Sequence, residues 1–343
     1  MIETRRIEFP SHGCRCSADL HLPERGVGPD SNRDGGAPTE EGHRDEDRAK
    51  EGARSDGTES EGRRRPGEGR IPVVVMAHGL GAERTQGLAP FVREFVARGL
   101  AVLAFDYRHL GESEGSPRRL VSSRRQVEDY HAALAFARDH PALDPARIGL
   151  WGTSFSGGHV LTVAAARPQG VKAVVSQIPF VSGWASTMAY PLRYHLPAIA
   201  LGLTDRLGSW LGREPLTVPL VSASGMAVLA SPDSEPGYRR MMGPDAPPPE
   251  PLAARVFLDI LTYHPGRKTP RVQVPTLVVL AEDDAICPPR ATRRAASRLP
   301  QGELISFPMG HFDPYVEPWF QEAVAVEADF LVKHLAPGVG SHN

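Results

Sequence analysis

The first place where residue type and spacing could do chemistry is Gly152-Thr153-Ser154-Phe155-Ser156. A serine becomes an exposed nucleophile on a sharp strand-to-helix turn, and the residues two before and two after it must then be small. Gly152 and Ser156 meet that need, although the commoner pattern has glycine where Ser156 stands. Gly157-Gly158 let the following helix pack closely. Two alternatives share the segment. Ser156 could be the nucleophile, flanked by Ser154 and Gly158, or the glycines could open a helix that holds a phosphate on its dipole. No Walker lysine or dinucleotide pattern accompanies the second.

Such a serine needs a base, a carboxylate to orient that base, and donors for an oxyanion. The base is expected in Phe307-Pro308-Met309-Gly310-His311-Phe312-Asp313-Pro314-Tyr315, where Gly310 gives the loop freedom to return His311 to the serine. The carboxylate is expected after the apolar run Thr276 to Leu280, where Glu282, Asp283 and Asp284 compete. Asp284, four residues before Pro288, is best placed to reach over a strand end, with Asp283 second and Glu282 third. The order Ser154, Asp284, His311 separates this arrangement from those of chymotrypsin and subtilisin. Ala77-His78-Gly79-Leu80-Gly81 offers the oxyanion loop, with the Leu80 and Phe155 N–H groups as the donor pair and His78 as a structural residue beneath it. His109, Trp184, Met188 and Tyr190 are the expected substrate contacts.

The elements that must position these residues follow from periodicity. Glu3 to Phe9 and Cys16 to Leu22 alternate around Ser11-His12-Gly13, so residues 1–24 read as a hairpin. From 25 to 70 almost no large apolar residue occurs, and such a stretch cannot offset its ordering entropy; a mobile insert is expected. Val73 to Ala77, Ala101 to Phe105, Ile148 to Trp151, Val171 to Ser176, Thr276 to Leu280 and Glu303 to Phe307 are apolar strands. Helical patterns alternate with them, around Phe91 to Val96, Val127 to Ala137, His159 to Ala166, Arg293 to Leu299 and Phe320 to Leu335. The expected fold is α/β, a mostly parallel sheet with helices on both faces. Residues 71–180 form its first half, 271–335 its second, and 336–343 a tail. Between them, 181–270 breaks the alternation and reads as short helices and loops forming a lid.

With those residues in view, the chain resembles the α/β-hydrolase superfamily from Ile71 to Leu335. More narrowly it is similar to bacterial hydrolases near the dienelactone hydrolase, acetylxylan esterase and S15 peptidase groups. The shared segments are Phe105-Asp106-Tyr107-Arg108-His109-Leu110-Gly111-Glu112-Ser113, Leu150 to His159, and Gly310 to Tyr315. Dienelactone hydrolases use cysteine where this chain has Ser154. The resemblance implies the Ser154, Asp284 and His311 triad and chemistry without a cofactor.

Composition sets limits. The net charge of −2 gives no footprint for nucleic acid or an anionic membrane. No apolar run approaches the roughly 20 residues of a membrane span, and Met1 to Pro10 lacks the apolar core of a signal peptide. Three cysteines make no disulfide framework, which fits the cytoplasm. His12, Cys14, Cys16 and His21 have the residue types of metal ligands, but C-x-C is tighter than structural zinc spacing and no metal is expected. Cys287 falls close to Asp284 with nothing nearby in sequence to activate it. The expected activity is hydrolysis of a small to medium ester, thioester or lactone through an acyl-enzyme. C–C bond or peptide cleavage by the same residues stays open, as does a catalytically silent binding protein. The partner is a small-molecule acyl substrate, with room for a homo-oligomer.

Overall fold

The first two strands, β1 (Ile2–Ser11) and β2 (Cys14–Pro23), pair antiparallel; β2 alternates in burial from Ala18 onward, whereas β1, at the sheet edge, is mostly exposed. Their connection is two residues long, His12 and Gly13, both at positive φ (46° and 82°). A two-residue turn of that hand matches the twist of the strands it joins. The computed structural model describes residues 2–24, 69–223, 225–243 and 246–336. The insert expected at 25–70 lies outside the described residues except for 69 and 70, and so does the tail beyond 336.

The alternation of strands and helices then runs as expected. β3 (Ile71–Ala77), α1 (Ala89–Ala97), β4 (Ala101–Phe105), α2 (Ser123–Asp139), β5 (Leu143–Thr153), α3 (Phe155–Ala164) and β6 (Val171–Gln177) follow in turn. β5 begins at Leu143, earlier than its apolar run, because Leu143 pairs with Ile71 before the register shifts. Next come α4 (Gly183–Ala189), α5 (His195–Trp210), β7 (Thr217–Val218), α6 (Ser234–Met242), β8 (Leu252–Ala253) and α7 (Val256–Thr262). The chain closes with β9 (Thr276–Ala281), α8 (Pro289–Ala296), β10 (Gly302–Phe307) and α9 (Trp319–Leu335).

Eight strands form one sheet in the order β1-β2-β4-β3-β5-β6-β9-β10, parallel from β4 to β10. Strand alternation divides the core. Val73, Val75 and Leu150 face α2 and α3, with Tyr130, Leu134, Val160 and Leu161. Val74, Met76 and Trp151 face α1 and α9, with Phe91, Phe95, Val324 and Leu331. Both faces of β3 are fully buried, which explains its unbroken apolar run. Each such side chain contributes about 1.5–3 kcal/mol over leaving it exposed. This is the α/β-hydrolase fold. Pairings such as Ala77 with Gly152, Thr153 with Gln177, and Ala281 with Phe307 bring the carboxyl ends of β3, β5, β6, β9 and β10 side by side.

Segment 181–270 differs from the expected short helices and loops in two ways. It contains the 16-residue α5 and a small antiparallel ribbon, β7 with β8. α5 carries leucines on its outer surface as well as apolar residues on its inner one, so the contrast that marks an amphipathic helix is absent.

Candidate active site

β5 ends at Thr153 and α3 starts at Phe155, leaving Ser154 alone in the turn at φ 55°, ψ −116°. That conformation costs on the order of 1–3 kcal/mol and persists only when its surroundings hold it. The Ser154 N–H donates to Gln177 O (2.9 Å), and its carbonyl accepts from Phe180 N (2.8 Å). A Cβ at Gly152 would sit 2.4 Å from Ser156 O, and one at Gly158 would sit 2.2 Å from Phe180 O. Those close approaches are why the sequence is small there.

Ser156 is fully buried, donates its hydroxyl to His78 O and shares a hydrogen bond with Tyr107 OH. It is tied into the core, so the register with Ser156 as nucleophile has no access to solvent.

His311 Nε2 lies 3.0 Å from Ser154 Oγ, and His311 Nδ1 lies 2.7 Å from Asp284 Oδ2. Asp284 Oδ1 accepts the Ile286 and Cys287 N–H groups at 2.8 and 2.7 Å. The neighbouring acids point elsewhere: Asp283 is exposed, and Glu282 pairs with Arg293. The His311 loop is not held by glycine freedom. Gly310 keeps an ordinary φ, and its N–H is fixed by Asp313 Oδ2 at 2.7 Å. A chain of carboxylate, imidazole and hydroxyl of this geometry can move a proton off the serine as it attacks.

Leu80 and Phe155 border the same cleft as Ser154. The backbone at Gly79 passes so close that a Cβ there would lie 3.3 Å from Ser154 Cβ. Beneath this loop His78 is buried, with Nδ1 2.9 Å from Gly79 O, and packs edge-on to Tyr107. Burial pulls its pKa down to about 4, so the ring is neutral at pH 7. Asp106 accepts the Arg84 N–H (2.7 Å) and pairs with its guanidinium, and Arg108 Nε donates to Asp129 (2.7 Å); these buried pairs fix the turn after β4.

The cleft encloses about 840 Å³, its open mouth included. Phe155, Phe180, Tyr190, Ile199, Val228 and Phe257 are among the side chains that line it. Of the expected contacts, Tyr190 lines the cleft. Trp184 and Met188 do not: they lie one turn apart on the outer face of α4, 61% and 41% exposed, while Ser186 and Thr187 face inward. His109 is displaced too. At φ 73° its ring turns away, with Nδ1 2.9 Å from Pro117 O and Nε2 2.7 Å from Arg125 Nη1. Burial and the nearby arginines lower its pKa to about 4, and it belongs to the loop after β4 rather than to the cleft.

His195, at the start of α5, lines the cleft without having been expected, its Nε2 3.1 Å from Tyr190 O. Cys287 also joins the site. Its donor atom and those of Asp284 and His311 lie within 4.8 Å of one another, a grouping a cation could use. Here His311 and Asp284 bond to each other, and burial, then the Asp284 charge, pushes the Cys287 thiol well up, away from the thiolate a metal needs. Cys16 is buried in the core, and His21 Nδ1 bonds Thr4 Oγ1 at 2.8 Å.

A family model described as serine aminopeptidase, S33 matches residues 70–313. The chain is 44% identical over 267 residues to quorum-quenching protein AidA of Acinetobacter baumannii (strain MDR-ZJ06), covering 78% of this chain and 87% of that one. It is 35% identical over 179 residues to thiohydrolase aneE of Aspergillus aculeatus, covering 50% and 54%. The solved structure of DcsB with its substrate analogue superposes at a TM-score of 0.74 and 21% identity, over 97% of this chain and all of that one.

Proposed function

The chain belongs to the serine aminopeptidase S33 family of α/β-hydrolases, and from that membership we propose that it hydrolyses an ester, thioester or lactone with an apolar acyl group through a Ser154 acyl-enzyme. The observation that carries this reading is the continuous hydrogen-bond path from Asp284 through His311 to Ser154, opening on an apolar cleft. His311 takes the Ser154 proton as Oγ attacks the acyl carbon, and Asp284 holds the imidazole in the tautomer that can accept it. The Leu80 and Phe155 N–H groups receive the oxyanion; Phe155 suits this role because a helix's first N–H groups have no partner within the helix. His311 then returns its proton to the leaving group and activates the water that releases the acid. The reaction needs no cofactor.

Segment 181–270 acts as the cover of the cleft, since α4, α5 and α7 all contribute residues to its lining. Three free cysteines fit a reducing compartment, and the cytoplasm is the proposed location. Among the described residues no helix is long and apolar enough to cross a membrane. The test is a fluorophosphonate probe with a panel of p-nitrophenyl esters and coenzyme A thioesters. Labelling and turnover that vanish in Ser154→Ala support the reading, and an unlabelled wild-type protein with no turnover on any of them overturns it.

A further inference from the structure

α5 is apolar on two sides at once. Its inner side packs Gly202 and Asp205 against the body, where Asp205 binds Arg255 at 2.7 Å, and it lends Ala198 and Ile199 to the cleft. Its outer side shows Leu196, Ala200, Leu203, Leu207 and Trp210 to solvent. Exposure of the four large ones runs from 48% at Leu203 to 78% at Leu196. Leu192 and Leu211 extend the stripe at either end, 78% and 71% exposed.

The spacing of that stripe is four, three, four, three. It is the seam by which one helix packs along another, narrower than the broad apolar face of a helix lying in a membrane surface. The six large side chains expose on the order of 800 Å², above the about 300–600 Å² patch of an ordinary monomer and equal to one side of a standard interface. A stripe used by a second copy must also complement itself about a two-fold axis. It does so about Leu203. An antiparallel copy sets Leu203 against Leu203 and Leu196 against Trp210, with the small Ala200 beside Leu207, about 1.5 Å out of step along the helix.

We propose that this protein is a two-fold dimer joined by α5, the two helices crossing antiparallel at Leu203. Because the inner side of the same helix walls the cleft, the partner braces the cover of each active site from outside.

The experiment is light scattering and sedimentation equilibrium on the full chain at micromolar concentration, with Leu196→Glu, Leu203→Glu and, as an off-seam control, Arg124→Glu. A vesicle flotation arm uses mixed phosphatidylcholine and phosphatidylglycerol. A wild-type and control dimer, with both leucine variants weakened by about 100-fold or more while still unfolding cooperatively, is the expected result. Leu196 is the more exposed, so it serves if Leu203→Glu unfolds. A monomeric wild type, a dimer indifferent to both variants, or vesicle binding lost on either substitution would each overturn the proposal.

Discussion

The His311 imidazole is held between two side chains that come from opposite halves of the fold, Asp284 at 2.7 Å and Ser154 at 3.0 Å, the latter 157 residues away in sequence. The parallel register of β5, β6, β9 and β10 brings them together, so the contact depends on topology and not on local sequence. Groups linked in this way act as a unit. Ser154→Ala and His311→Ala should each lower kcat on an ester substrate by about 10⁴ or more, with little change in melting temperature. Turnover that survives Ser154→Ala would remove Ser154 as the nucleophile.

Asp284 differs from its neighbours in burial and in the number of donors it accepts. Asp284→Asn should cost about 10³–10⁴ in kcat, because an amide can hold the wrong histidine tautomer. Asp283 is exposed and Glu282 is paired on the surface with Arg293. Asp283→Asn and Glu282→Gln should therefore stay within a few-fold of wild type. Steady-state rates on one ester decide the point, and a large loss at Asp283 would move the assignment.

Residues tied to strand ends were legible in the sequence because the signal is local: an apolar run, then a small or acidic residue where the chain must turn. Ser154, Asp284 and His311 come together where those runs end. Positions in segment 181–270 were not legible in the same way. Trp184 and Tyr190 are six residues apart, and which of them faces inward depends on how α4 packs on α7, a tertiary contact. α5 was missed because its leucines face both ways. His109 follows Tyr107 by two residues, yet a left-handed backbone turns its ring toward Arg125.

Tyr190 carries a further expectation. Its hydroxyl is buried beside the Ala230 N–H, and its own proton meets no acceptor among the described residues, in a cleft whose lining is otherwise mostly apolar. Burial also holds its pKa above the usual phenol range, so it remains a donor. An unpaired buried donor costs about 1–3 kcal/mol, which a substrate oxygen would recover. Tyr190→Phe should reduce kcat/KM by about 10-fold or more on acyl esters bearing a chain oxygen, and leave plain alkyl esters unchanged. Equal losses on matched pairs would make the hydroxyl irrelevant to selectivity.

Trp151 Nε1 donates to Glu327 Oε2 at 2.8 Å inside the core between β5 and α9. Burial pushes the Glu327 carboxyl up to about 8, whereas an unfolded chain releases that proton near about 4.3. The fold therefore binds the proton more tightly. Its contribution is complete below about pH 4.3 and is lost as pH rises toward about 8. Glu327→Gln keeps the acceptor without the charge, so the variant should be more stable than wild type above pH 8, by a few kcal/mol. Denaturant midpoints from pH 5 to 9 test this, and parallel curves for the two proteins would refute it.

The last expectation separates the residues of segment 181–270 that border the cleft from those that do not. Ile199 on α5 borders the cleft, whereas Trp184 on α4 is 61% exposed and outside it. A cleft residue acts through differential binding of the transition state, worth about 1–3 kcal/mol per methylene-sized change. Ile199→Ala should shift the ratio of kcat/KM between long and short p-nitrophenyl esters by about 10-fold or more, in favour of the longer or bulkier acyl group. Trp184→Ala should leave that ratio unchanged, and a surface substitution of this kind should move stability by only about 0.5 kcal/mol. Both quantities are measured on both variants. A shifted ratio in Trp184→Ala with none in Ile199→Ala would mean that α4 rather than α5 meets the acyl chain.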